Sequence, residues 1–211
     1  MAVTGLLLVG FLIAHLAGNL FIYGGAGAYN KYAETLHSVG PALWLLEIGL
    51  LLLFLVHIVF TVTLVLENWR ARGTAYAVNP QDQTRSWTTR TMPYTGTFLL
   101  VYICFHLYDY HPIFKDHEGP ASILNGVNQG LYGLVCHSFL NPVRSGFYLI
   151  AMGVLGFHLA HGISSLFQTC GIVSPERMPV IHRISLVIGI FFAMAFGSIP
   201  IYVLIQYGGG G

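Results

Sequence analysis

Six residues in the middle of an apolar run read Phe157-His158-Leu159-Ala160-His161-Gly162. They place two imidazole side chains where a membrane helix normally carries only hydrocarbon. An ionisable side chain deep in a membrane segment costs about 3 kcal/mol on insertion scales, so it usually pairs, lines a water path or binds a cofactor. The rest of the chain must therefore supply partners for these two histidines.

The composition of the chain is that of a membrane protein. Of its 211 residues, 55% are hydrophobic and only 8% are charged, and the mean hydropathy is +0.69. A net charge of +1 indicates no nucleic-acid partner. The three cysteines are widely spaced and form no Cys-x-x-Cys, which argues against a zinc site, a disulfide framework and covalent attachment of a c-type haem.

Five apolar stretches are long enough to cross about 30 Å of hydrocarbon at about 1.5 Å per residue. We therefore predict an all-α integral membrane protein, a single membrane-anchor domain over residues 1–211 with five transmembrane helices in one bundle. The predicted spans are 2–23, 42–66, 92–110, 146–167 and 184–207. The third connection, 111–145, contains a glycine-interrupted apolar piece, for which we expect a short interfacial helix around 127–139 on the outer face.

Basic residues in the connections predict the orientation of the bundle. The second and fourth connections carry Arg70, Arg72, Arg85, Arg90, Arg177 and Arg183. The first and third carry Lys31, Lys115 and Arg144. Because basic residues accumulate on the cytoplasmic side, the N-terminus is expected in the cytoplasm and the C-terminus outside.

Four of the five predicted spans carry a histidine near the centre of the membrane. Measured from the centre of each span, His15 and His106 lie in the outer half, and His57 and His158 lie in the inner half. A haem with two imidazole ligands needs them at matching depth on different helices. The natural pairs are His15 with His106 and His57 with His158.

Small residues near two of these histidines favour the close approach of a flat macrocycle. Gly18 follows His15 at i+3, and Gly162 follows His158 at i+4, on roughly the same helix face in each case. Two imidazole ligands leave no open position on a haem iron, so this chemistry is electron transfer rather than oxygen binding. The alternative is that each histidine only hydrogen-bonds a neighbouring helix.

Several short motifs, in order along nearly the whole chain, carry a family resemblance. They are His15-Leu16 with Asn19, Ala28-Tyr29-Asn30, His57 with Phe60, Arg90-Thr91-Met92 leading to Thr95-Gly96, Phe105-His106-Leu107, and Phe157-His158 with Gly162 and Cys170-Gly171. Together the chain resembles the single-chain, five-helix, two-haem cytochrome b anchor of succinate:quinone oxidoreductases and fumarate reductases, the complex II family. The resemblance implies that the iron ligands of two stacked b haems are His15, His57, His106 and His158.

The resemblance also implies the partners of the chain. A flavoprotein subunit with FAD interconverts succinate and fumarate, and an iron-sulfur subunit connects it to the anchor, which exchanges electrons with menaquinone in a bacterial cytoplasmic membrane. FAD and the iron-sulfur clusters belong to those partners, because this chain has no Gly-x-Gly-x-x-Gly and no cluster-binding run of cysteines. No catalytic residue is assigned to this chain.

The remaining ionisable residues are candidates for proton transfer, quinone contact or surface positions. Glu47 lies ten residues before His57, about 15 Å further out, and is a candidate for a proton relay or a quinone hydrogen bond. His161 is expected to be a hydrogen-bonding neighbour of the inner haem or a quinone contact, or to replace His158 as ligand. Glu34 and Asp109 are expected on solvated surfaces. Two alternative functions stay open: a di-haem carrier for another quinone-linked oxidoreductase, and a haem-free proton-conducting membrane protein.

Overall fold

The computed structural model describes residues 1–70, 87–117, 119–171 and 173–208. Arg72, Arg85 and the last three glycines lie outside these residues, as does the side chain of Arg90. The described part contains seven α-helices: α1 (Ala2–Asn19), α2 (Gly25–His37), α3 (Pro41–Arg70), α4 (Trp87–Tyr110), α5 (Gly130–Phe139), α6 (Pro142–Thr169) and α7 (Met178–Tyr207). A small antiparallel hairpin pairs β1 (Ile123–Leu124) with β2 (Val127–Asn128), and 3-10 turns cover Leu20–Gly24, Pro120–Ser122 and Pro175–Arg177.

Four helical segments in the described ranges are long and apolar enough to cross a membrane. They are Ala2–His37, α3, α6 and α7, with mean hydropathies from 1.5 to 2.7. The prediction of an all-α membrane protein is therefore confirmed at the level of its class. The predicted span 92–110 is also helical, but α4 is not among these four segments. Its first half carries five threonines, which lower its hydropathy.

The first helical segment changes direction after α1. The chain passes through a 3-10 turn to Gly25, whose positive φ of 78° is accessible mainly to glycine. Helix α2 then packs back so closely that a Cβ on Gly18 would overlap the ring of Tyr32. In this structure Gly18 thus makes room for Tyr32 of α2, and its place beside a macrocycle next to His15 stays a prediction.

Helices α6 and α7 form the most extensive helix pair of the bundle. A Cβ on Gly156 would lie 2.7 Å from the carbonyl oxygen of Gly189, and a Cβ on Gly189 would overlap the carbonyl of Gly156. Ala160 and Ala193 follow four residues later on each helix, a small-xxx-small pattern that lets two backbones approach. Helices α1 and α4 pack on α6, whereas α3 packs mainly on α1 and has no buried residue.

Helix α5 lies within the expected range 127–139 and is mostly buried against neighbouring helices, and its position at the membrane interface stays a prediction. The side-chain amide of Asn30 in α2 donates to the carbonyl oxygen of Gln129 at 2.8 Å and accepts from the N–H of Tyr132 at 3.0 Å. At the other side, the hydroxyl of Tyr132 lies 2.7 Å from that of Tyr207 in α7. The Cys136 thiol is fully buried, and this burial raises its pKa to about 11, so it packs as a small apolar side chain.

Candidate functional site

The structure brings together the two histidines expected in the outer half, His15 of α1 and His106 of α4. Their ring centroids are 5.7 Å apart, and their planes are perpendicular. The His15 ring also stacks on Phe11 at 5.3 Å and lies 5.9 Å from Phe196. We call these two histidines the 15/106 pair.

Aromatic side chains enclose the His106 end of this pair. The rings of Tyr102, Tyr110 and Tyr148 lie 5.7, 5.4 and 6.2 Å from the His106 ring. His106 Nδ1 is buried and has no hydrogen-bond partner within the described part of the chain.

The two histidines expected in the inner half, His57 of α3 and His158 of α6, are each held by a threonine hydroxyl. Thr4 Oγ1 lies 3.0 Å from His57 Nδ1, and Thr95 Oγ1 lies 3.1 Å from His158 Nδ1. His57 and His158 are also close enough to interact electrostatically. We call them the 57/158 pair.

The threonines assign the tautomers of the 57/158 pair. Each hydroxyl also donates to a backbone carbonyl three residues earlier, at 2.8 Å for Thr4 and 3.1 Å for Thr95. A hydroxyl has only one proton to donate, so both bonds can form only if the imidazole Nδ1–H donates to the threonine oxygen. Nε2 of His57 and of His158 is then unprotonated, as an axial ligand to iron must be.

Glycines lie against both imidazoles of this pair. A Cβ on Gly5 would lie 3.8 Å from His57 Cε1, and a Cβ on Gly96 would lie 3.5 Å from His158 Cε1. At Gly162, the glycine that the sequence singled out, a Cβ would meet no atom within 4 Å. The glycines that contact the 57/158 pair therefore come from α1 and α4, the helices of the other pair.

The two pairs are stacked along the bundle. Eleven residues separate Thr4 from His15 on α1, and eleven separate Thr95 from His106 on α4. At about 1.5 Å per residue, both helices place the two sites about 16 Å apart. Two independent helices thus give the same spacing.

The residues present fit a haem with two histidine ligands. Each pair joins two helices. Aromatic rings surround the 15/106 pair, and threonine hydroxyls and glycines contact the 57/158 pair. Within residues 1–70, 87–117, 119–171 and 173–208, no three His, Cys, Asp or Glu side chains converge as they do around a metal ion held by the protein alone. A haem iron needs only axial ligands from the protein, because the macrocycle supplies the others.

Two further residues singled out by the sequence lie near these pairs or beside a cavity. Glu47, partly exposed, lies 3.9 Å from Nε2 of His111, and the two line a cavity of about 320 Å³ with His37 and Trp44. His161 lies one turn from His158 and within electrostatic range of both His158 and His182.

The expectation for the two other carboxylates was right for one and wrong for the other. Glu34 is exposed and pairs with Lys31 at 3.8 Å. Asp109 is only 6% exposed, because α5 and α6 cover the end of α4. Sequence reasoning gave no role to Thr4 and quoted Thr95 only within a motif of the family resemblance, although each lies at the same depth as a histidine on another helix.

These features define a helical membrane protein that brings histidines of four helices together. The chain resembles the cytochrome b membrane anchor of the complex II family. It is 27% identical over 198 residues to the succinate dehydrogenase cytochrome b558 subunit of Bacillus subtilis (strain 168), an alignment that covers 92% of this chain and 89% of that protein. No protein-family model matches the chain, and no solved structure matches it.

Proposed function

We propose that this chain is the di-haem cytochrome b anchor of a succinate dehydrogenase or fumarate reductase and transfers electrons between an iron-sulfur subunit and menaquinone. The observation that carries the proposal is the arrangement of four histidines in two pairs, about 16 Å apart along α1 and α4. The name of the Bacillus subtilis relative supports the same function.

In this proposal the 15/106 pair holds one b haem and the 57/158 pair holds the other. Each haem supplies one-electron transfer when bound, and two imidazoles leave no position for oxygen. Thr4 and Thr95 hold His57 and His158 in the tautomer that presents Nε2. His158 rather than His161 is the ligand, because the Thr95 hydroxyl holds His158.

We further propose that α4 is the fifth span. Its 24 residues extend about 36 Å, which exceeds the hydrocarbon thickness of about 30 Å. The contact of His106 with His15 supports this, since His15 lies inside a segment long enough to cross. With the N-terminus in the cytoplasm of a bacterium, the 57/158 pair lies nearer the cytoplasmic face.

The dicarboxylate chemistry is assigned to partner subunits. A flavoprotein with FAD would interconvert succinate and fumarate, and an iron-sulfur subunit would dock at the cytoplasmic end of the bundle. Lipid surrounds the apolar outer faces of the helices, of which α3 is the most exposed.

The cavity beside Glu47 is the proposed place for a quinone or its proton relay. Its volume of about 320 Å³ falls within the range of small-molecule sites. Trp44 offers an aromatic face, and the carboxylate of Glu47 and the imidazole of His111 offer groups that exchange protons. His161 is proposed as a second quinone contact or as a polar neighbour of the 57/158 pair.

Haem content in histidine variants tests this function. The purified protein should show a b-type band in its reduced-minus-oxidised spectrum, and a pyridine haemochrome assay should give two haems per chain. His15→Ala, His57→Ala, His106→Ala and His158→Ala should each lose one of the two haems, whereas His161→Ala should keep both. A protein without any b-type band would contradict the proposal and leave the proton-conducting alternative. Co-purified FAD with succinate oxidation separates a complex II anchor from another di-haem carrier.

A further inference from the structure

Asp109 is a buried carboxylate in the last turn of α4, one turn beyond His106. The hydroxyl of Tyr148 in α6 donates a hydrogen bond of 2.8 Å to its Oδ2, and Nη1 of Arg144 lies 3.5 Å from its Oδ1. Arg144 also donates a hydrogen bond of 2.6 Å to Ser138 Oγ in α5. The network therefore connects three helices, with α6 contacting the carboxylate and α5 joined through Arg144.

Both charges of this network sit at unfavourable helix ends. Asp109 lies at the C-terminal end of α4, where the backbone dipoles present negative charge, and Arg144 lies in the first turn of α6, where they present positive charge. An ion pair with a buried carboxylate is also a weak way to stabilise a fold, because taking the carboxylate out of water offsets much of the attraction. The placement therefore indicates that these two charges serve a function other than stabilising the fold.

The network reaches the 15/106 pair through Tyr148. Its ring lies 6.2 Å from the His106 ring, and Phe139 packs edge-on against it at 5.0 Å. Along α4, Asp109 is three residues from His106, about 4.5 Å along the helix axis. Charges interact more strongly in such an enclosed region than in water.

The two charges do not cancel at this site. The Asp109 side chain is 7% exposed, and that of Arg144 is 38% exposed, so water and salt screen the guanidinium more strongly. Unequal screening leaves the negative charge of Asp109 as the stronger of the two, with Arg144 opposing it.

We propose that Asp109 and Arg144 are positioning residues that set the reduction potential of the haem held by His15 and His106. This inference rests on the proposed function. The carboxylate of Asp109 favours the oxidised iron, which carries one more positive charge, and the guanidinium of Arg144 opposes this effect. The hydroxyl of Tyr148 holds the carboxylate by a hydrogen bond, and the ring of Tyr148 lies beside His106.

Potentiometric titration of the purified complex, with the two haems resolved by their optical spectra, tests the inference. Asp109→Asn removes the negative charge and keeps an acceptor for Tyr148, and it should raise the midpoint potential of one haem. Arg144→Gln should lower the midpoint potential of the same haem, and the double variant should return towards the native value. The affected haem should be the one that His106→Ala lacks.

A matched control is Glu34→Gln, which neutralises an exposed carboxylate paired with Lys31 and should change neither potential. If Asp109→Asn does not retain its haems, the downward shift in Arg144→Gln decides alone. Shifts of the same sign in both variants, equal shifts of the two haems, or unchanged potentials overturn the inference. A preparation without b-type haem overturns the proposed function instead.

Discussion

Replacing Thr95 with valine tests whether a threonine hydroxyl holds His158. The substitution keeps the shape of the side chain and removes the oxygen that lies 3.1 Å from His158 Nδ1. An imidazole N–H left without a partner costs about 1–3 kcal/mol. Loss of such an outer partner typically lowers metal affinity by about 10–100-fold, which equals about 1.4–2.7 kcal/mol. The two estimates agree, so the haem of the 57/158 pair should dissociate about 10–100 times faster in this variant.

Haem transfer to an excess of an apo-globin, followed by absorbance, measures this rate. The native complex should release its two haems slowly, and Thr95→Val should accelerate only one of the two phases. Thr97→Val is the matched control, since this threonine lies on the same helix and, among the described residues, its hydroxyl bonds the Pro93 carbonyl oxygen alone, at 2.9 Å. Thr95→Ser keeps a hydroxyl and should restore slow release. Equal rates for Thr95→Val and Thr97→Val, or fast release from Thr95→Ser, would refute the assigned tautomer.

Two further predictions concern the packing that holds the sites in place. Asn30→Ala removes both hydrogen bonds to the start of α5, at 2.8 and 3.0 Å, and should lower the free energy of unfolding by about 2–4 kcal/mol. The midpoint of thermal unfolding in detergent should fall accordingly. An unchanged midpoint would show that the amide does not anchor α5. Gly156→Leu places a Cβ 2.7 Å from the carbonyl oxygen of Gly189 and so forces α6 and α7 apart. This variant should incorporate no haem, as measured by pyridine haemochrome. Gly10→Leu, whose Cβ meets no atom within 4 Å, should incorporate haem normally, and equal haem content in the two variants would contradict the role of the α6–α7 contact.

The sequence predicted where helices lie better than where they end. The predicted spans 42–66, 146–167 and 184–207 correspond to α3, α6 and α7, but each helix continues beyond its span at one or both ends. An apolar run records the thickness of the hydrocarbon layer, whereas a helix continues until its backbone groups find other partners. The first half of α4 is likewise helical although its threonines make the sequence polar, because their hydroxyls can bond carbonyl oxygens of the same helix.

The depth of each histidine in the membrane, counted in residues from the centre of its span, was enough to predict which histidines should meet, since helical rise depends only on residue number. Contacts that depend on how helices are rotated were not accessible. Thr4 contacts His57, which lies 53 positions further along the sequence, and Thr95 contacts His158, which lies 63 positions further. The error at Asp109 has a similar origin: its exposure depends on α5, whose glycine-interrupted sequence gave no sign that it packs over the end of α4.

The threonine contacts have a consequence for how the two sites are built. Thr4 and Gly5 belong to α1, and Thr95 and Gly96 belong to α4, so the helices that carry His15 and His106 also support the imidazoles of the other pair. A shift of either helix, such as one caused by an empty 15/106 pair, would move a hydroxyl away from its imidazole about 16 Å along the bundle. The two sites are therefore linked through shared helices, and a haem lost from one pair should loosen the other haem without releasing it.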